Sequence, residues 1–266
     1  PADRPASAAA VCSGAMWTAR PIERVGRIAP QVFLREIVPA RRPVVFSWRG
    51  PAWSPESLRD RFGSLPVQAY VMREGRIVLD PRTGFRLAHM TMREYVDRTL
   101  ARDEPSLYLR ARMPTLPALD RELATPAHAG RLALRRNLWF AAKGTVSQLH
   151  FDLPHNLVAQ LHGRKKFYVF HSSDPVYPHA WRSSTPHLSR VDPEAPDLAR
   201  FPRLASARPL ETELEPGDVL FLPQRFWHHA RALTTSVSVN FWWCEPATFP
   251  LLMASDLYKR LRGLHI

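Results

Sequence analysis

The sequence predicts a mainly β fold, a sandwich or barrel with helices packed outside it. Three observations predict this. From Asn137 onward, short apolar runs follow one another closely with turn signals between them. Two of those signals, His162-Gly163-Arg164 and Pro216-Gly217, each separate a pair of runs and mark tight reversals. The first third instead mixes helical and strand patterns, as an elaboration around a β core would. The chain has 266 residues, 45% apolar and 23% charged, which suits a soluble protein with a sizeable core. It divides into a loose tail over 1–15, one main unit over 16–245 and a C-terminal helix over 246–266.

The elements follow in order. Ala29 to Val38 carries Val32, Phe33 and Ile37 at helical spacing. Arg42 to Phe46 is a strand with Pro43 near its start, where little ladder bonding is lost. Ser54-Pro55 opens a helix, a cap followed by proline at the first helical position. Val67–Arg73 and Arg76–Leu79 flank Glu74-Gly75 as a hairpin. Thr91 and Glu94 form a capping box ahead of a helix through Tyr95 and Leu100. Ser106–Leu109, Asn137–Ala142, Thr145–Asp152, Asn156–Leu161 and Lys165–Phe170 read as strands. A proline-rich connection runs from Pro175 to Pro209. Leu210–Glu215, Asp218–Leu222 and Ser236–Trp243 complete the strands. Phe249 to Leu264 is a helix with Met253, Leu257, Leu261 and Leu264 on one stripe.

The net charge of +13 permits an acidic or nucleic-acid partner. The positive charge is almost all arginine, with four lysines, and its longest run is Arg164-Lys165-Lys166. That scatter favours a solvated basic surface over a nucleic-acid footprint. Two distant cysteines, Cys12 and Cys244, make no disulfide framework and point to a reducing cytoplasm. No stretch approaches a membrane span, and Pro1–Ala10 does not read as a signal peptide.

His150-Phe151-Asp152 carries the chemistry. Residues two apart on a strand share a face, so His150 and Asp152 can reach one point. Two histidines and one carboxylate, with neighbouring positions open, suit a non-haem iron(II) oxygenase. A His-x-Asp pair alone is common without metal, so the third ligand decides. Candidates are His171, His179, His187, His228 and His229. His228 fits best, because it follows a turn, an apolar strand and a bend at Pro223. His229, its neighbour, would face the other way.

Four blocks resemble the cupin-like branch of the Jumonji-C oxygenases. They are Gly144 to Asp152, Asn156 to Phe167, Leu214 to Asp218 continuing through Trp227-His228-His229, and Ser238 to Trp243. The resemblance covers Pro43 to Trp243. It implies a double-stranded β-helix, or jelly roll, and oxidation by iron(II), 2-oxoglutarate and O2. It implies His150, Asp152 and His228 as both the metal ligands and the catalytic set. It also implies a cosubstrate pocket made by Lys165, Tyr108, Ser147, Asn156, Asn240 and Trp242. Ser147 stands where the family has threonine, which keeps the hydroxyl and drops the methyl. Lys165 also reads as a surface lysine in a basic turn, and Tyr108 and Trp242 as core aromatics.

The leading expectation is hydroxylation of a protein or peptide side chain, or of a related small amino acid. Demethylation and hydroxylation of a transfer-RNA base are the related outcomes. A different class is a cupin isomerase or dioxygenase without 2-oxoglutarate, which has no need of Lys165. A third is a non-catalytic barrel, which an intact ligand set argues against. The terminal stripe further suggests a homodimer through the C-terminal helix.

Overall fold

The computed structural model describes residues 18–77, 79–80, 84–101, 106–130, 132–180, 183 and 185–261. The expected tail over 1–15 and Leu264 lie outside them. Twelve strands concern the site: β1 Val44–Ser47, β2 Pro66–Arg73, β3 Leu87–Thr91, β4 Leu107–Arg112, β5 Leu132–Ala141, β6 Val146–Phe151, β7 His155–His162, β8 Lys165–Phe170, β9 Leu210–Leu214, β10 Asp218–Leu222, β11 Trp227–Ala232 and β12 Ser236–Cys244. Three helices accompany them: α1 Pro55–Phe62, α2 Met92–Leu100 and α3 Phe249–Leu261.

The strands form two facing sheets of a jelly roll. The larger has the order β1, β10, β7, β12, β5, β4, β2, with β3 also on β2 and short strands at Glu23–Arg24 and Arg76–Ile77 on its edges. The smaller has the order β9, β8, β11, β6, with Arg20–Pro21 beside β9. From β5 onward the chain changes sheet at every connection except the long one between β8 and β9. The β7–β8 reversal needs Gly163, whose φ is +68°. A Cβ there would lie 2.1 Å from the Thr235 carbonyl oxygen.

Alternation along each strand of the larger sheet separates two interiors. On β12, Val237, Val239, Phe241 and Trp243 join a core under the N-terminal helices, with Phe33, Trp53, Leu58, Tyr95 and Phe140. On β7 and β10, Leu157, Ala159, Val219 and Phe221 face the same way. The opposite faces of these strands meet the smaller sheet, where Val158, Leu220 and Leu222 pack on Phe167, Val169 and Leu214. The larger core therefore lies outside the barrel. Both caps are as expected: Ser54 and Thr91 each accept from the backbone N–H three residues on.

One expectation needs correction. Residues Ala29–Val38 do not make a plain α-helix; after Pro30–Val32 the turn widens, and the Val38 N–H reaches the Phe33 carbonyl. Trp227–Ala232 is a full strand, a stretch to which the sequence reading assigned no element. On the C-terminal helix, Met253 is 52% exposed and Leu257 58%.

Candidate functional site

β6 and β11 are antiparallel neighbours, and His150 stands directly opposite His228. Their rings are 4.2 Å apart between centroids. Asp152, just past the end of β6, places Oδ2 3.6 Å from His228 Nε2. One ligand atom from each of His150, Asp152 and His228 lies within 4.8 Å of the others. Such a spacing lets three donors converge on a single divalent ion at 2.0–2.2 Å, the distances of the comparable zinc ligands.

The outer hydrogen bonds orient these donors. His150 Nδ1 donates to the Gln148 carbonyl at 2.6 Å, and His228 Nδ1 donates to the Phe226 carbonyl at 3.1 Å. A carbonyl only accepts, so each imidazole carries its proton on Nδ1 and turns a free Nε2 lone pair inward. Burial, with His150 beside it, pushes His228 down to about 4, so it is neutral at pH 7. Asn156 Nδ2 donates to Asp152 Oδ2 at 3.1 Å and fixes the carboxylate.

A bulge makes the arrangement possible. The pairing of β6 with β11 shifts between Ser147 and His150. Strict alternation would send residues three apart to opposite faces. The extra residue brings both Ser147 and His150 to the pocket wall.

The pocket beside the donors is lined by Tyr108, Ser147, Asn156, Lys165, Asn240 and Trp242, the six residues that the sequence analysis associated with the cosubstrate. Lys165 is 5% exposed, which excludes the surface reading. Its Nζ donates to Ser238 Oγ at 2.7 Å. No ion pair to Lys165 occurs among the described residues, and burial lowers it to about 7. Tyr108 and Ser147 share a hydrogen bond at 3.2 Å, and burial pushes the phenol up to about 12. Asn137 Nδ2 donates to Asn240 Oδ1 at 2.9 Å. Asn156 Oδ1 and Trp242 Nε1 are buried without a partner. A buried ammonium with no counter-charge, beside unmatched polar atoms, fits a bound dicarboxylate. Two imidazoles and a carboxylate fit iron(II).

The other candidate histidines divide. His171 bonds Ser173, and His179 bonds Thr185. His229 faces away, 3.3 Å from Glu194. His187 does line the pocket. It stands on the 175–209 connection, which runs along the β6 edge through an isolated bridge between Leu188 and His150. Arg110, Trp139 and Phe167 also line the pocket and were not anticipated. Arg110 was detectable in principle, since it lies two residues beyond Tyr108 on the same strand face.

A jelly roll with two histidines and a carboxylate at its mouth has the donor set of a mononuclear non-haem metal site. A model of the cupin-like domain matches residues 29–249. The chain belongs to this family, the cupin-like Jumonji-C group of iron(II) and 2-oxoglutarate oxygenases. It is 35% identical over 163 residues to lysine-specific demethylase 8 of Xenopus tropicalis, covering 58% of this chain and 37% of that protein. It is 28% identical over 238 residues to tRNA wybutosine-synthesizing protein 5 of Danio rerio, covering 80% and 72%. The structure of E. coli ycfD superimposes with a TM-score of 0.51 at 20% identity, over 90% of this chain and 58% of that one. That likeness shows the fold. The chain spans between 26% and 37% of the length of the first three curated relatives.

Proposed function

We propose that the protein is an iron(II)- and 2-oxoglutarate-dependent oxygenase that hydroxylates a protein or peptide side chain, or a related amino acid. One observation carries this reading: a convergent His, Asp, His set shares a pocket with a buried lysine that has no acidic partner among the described residues. His150, Asp152 and His228 would hold the metal. When bound, iron(II) supplies oxygen activation coupled to oxidative decarboxylation of 2-oxoglutarate to succinate and CO2.

The chain's own residues bind and orient. Lys165 pairs with the far carboxylate of the cosubstrate and takes up a proton as it does so. Tyr108 and Ser147 offer hydroxyls to the same region, and Trp242 Nε1–H supplies a further donor. Asn156 holds Asp152 in place. His228, neutral through burial, keeps its lone pair for the metal without competition from protons. A cupin enzyme that works without 2-oxoglutarate leaves Lys165 unexplained.

The relatives support two outcomes for the same oxidation. Hydroxylation of an N-methyl carbon releases formaldehyde and is read as demethylation, which the demethylase likeness favours. Oxidation of a transfer-RNA base is favoured by the likeness to tRNA wybutosine-synthesizing protein 5 and by the charge of +13. Incubation of cell lysate with the enzyme, iron(II), ascorbate and 2-oxoglutarate separates them. A gain of one oxygen on a peptide supports hydroxylation, formaldehyde supports demethylation, and oxidised nucleosides support the RNA reading. Absence of all three, with 2-oxoglutarate unconsumed, removes the oxygenase assignment. We further propose that α3 pairs with a second copy, since its exposed Met253 and Leu257 lie one turn apart.

A further inference from the structure

Arg110 stands in the pocket wall with the metal donors and Lys165, and nothing above gives it a task. On β4 it lies opposite Trp139 of β5, and its guanidinium stacks 5.1 Å from the Trp139 ring centroid. The Trp242 ring lies 6.0 Å away on the same guanidinium, and Arg135 approaches that ring to 5.9 Å. A guanidinium held near indole faces by cation–π attraction keeps N–H groups able to donate two parallel bonds.

Two other partly buried arginines meet acids, while Arg41 donates to the Gln224 carbonyl. Arg136 reaches Asp120 at 2.7 Å, and Arg231 pairs with Glu194. Arg110 forms no ion pair among the described residues. Asp152 is the one carboxylate in the pocket lining, and it belongs to the metal set. The cosubstrate's far carboxylate is matched by Lys165. One planar, oriented positive charge is therefore left over on the wall facing the open pocket.

We propose that Arg110 is a specificity-determining residue that receives a carboxylate of the substrate. The substrate is then an amino acid or peptide with an acidic side chain or a free α-carboxylate next to the oxidised atom. The proposal rests on the oxygenase reading for which atom is oxidised, but the anion preference stands on the pocket itself. A bidentate fork suits a planar carboxylate.

Saturation-transfer NMR on zinc-loaded protein, with and without 2-oxoglutarate, tests this. The probes are N-acetylglutamate methylamide, N-acetylglutamine methylamide, N-acetyllysine methylamide and a single-stranded RNA hexamer. The wild type should bind the acidic probe about tenfold more tightly than the neutral one, in keeping with a good charge-assisted pair. Arg110→Gln should abolish that preference and Arg110→Lys should retain part of it. Both variants should bind zinc, which shows that they fold. Affinity for 2-oxoglutarate should change less than about twofold in Arg110→Gln, because Lys165 holds its far end. Equal binding of the acidic and neutral probes, no saturable acidic binding, or a preference that survives Arg110→Gln overturns the proposal. So does Arg110-dependent binding of the RNA in preference to the acid, or a large loss of 2-oxoglutarate affinity, which would make Arg110 a cosubstrate residue. Failure of the wild type to bind 2-oxoglutarate removes the oxygenase reading instead, and the probe arm without cosubstrate still reads the anion preference.

Discussion

Lys165 carries a charge into the barrel, where its hydrogen bond among the described residues is to Ser238. Lys165→Ala should weaken 2-oxoglutarate binding by roughly 2–5 kcal/mol, the usual range for one partner of a desolvated charge pair. Metal affinity should hardly change, and calorimetry on metal-loaded protein reads both. The pH dependence has a definite sign. Burial lowers the lysine to about 7 from 10.5, so between those values the unfolded chain binds more protons. The empty protein therefore gains stability from this group as pH rises through that window, and carries the full cost of the buried charge below it. In the proposed pairing, cosubstrate binding needs the charged form. The affinity for 2-oxoglutarate should fall by about tenfold per pH unit above pH 7 in the wild type and stay flat in Lys165→Ala. A flat wild-type profile would separate Lys165 from the cosubstrate. At this scale the sequence was legible for His150 and Asp152, because alternation puts residues two apart on one face. It was not legible for Ser147 from alternation, since the bulge between it and His150 changes the parity.

Among the elements, the 175–209 connection borders the site, yet sequence patterning assigns it nothing. Its anchor is Glu194, which meets His229 and Arg231 on β11. Burial opposes ionisation of Glu194, but those two partners outweigh it and hold the carboxyl near 2. Glu194→Ala should lower stability by about 1 kcal/mol, since Arg231 is partly solvated. It should also raise proteolytic cleavage within 175–209, checked by limited digestion and mass spectrometry. An unchanged cleavage pattern would mean that the apolar contacts of Val176, Val191, Phe201 and Leu204 hold the segment alone. The contribution of Glu194 should be present at pH 5 and above and fade as pH falls toward 2. Strand β11 escaped the sequence reading because Trp-His-His-Ala-Arg-Ala lacks both β-branched residues and apolar alternation. It is a strand because both neighbours, β8 and β6, require it. The strands β7, β10 and β12 were legible as strands, but their two-sided burial was not. Near-continuous apolar runs conceal which face meets the smaller sheet.

The whole molecule is a jelly roll whose larger core is shared with its N-terminal third. Phe241→Ala, in the larger core with its ring edge-on to Trp48, should cost about 3–5 kcal/mol. The fold class followed from strand spacing and turn signals. The packing of the first third did not, because widened turns and edge strands leave no periodic signature. On α3, Leu251 and Leu257 are each 58% exposed. Leu257→Glu should convert a dimer into a soluble monomer in sedimentation velocity. A wild type that already sediments as a monomer at high micromolar concentration would leave the exposed stripe without this partner.

The central claim is that one pocket holds the metal and 2-oxoglutarate together. Anaerobic titration of 2-oxoglutarate into iron(II)-loaded protein tests it most directly, with His228→Ala and Lys165→Ala in parallel. The account predicts one iron and one 2-oxoglutarate per chain for the wild type, loss of both from His228→Ala, and loss of the cosubstrate alone from Lys165→Ala. Iron retained by His228→Ala, or 2-oxoglutarate bound as tightly to Lys165→Ala as to the wild type, would contradict it.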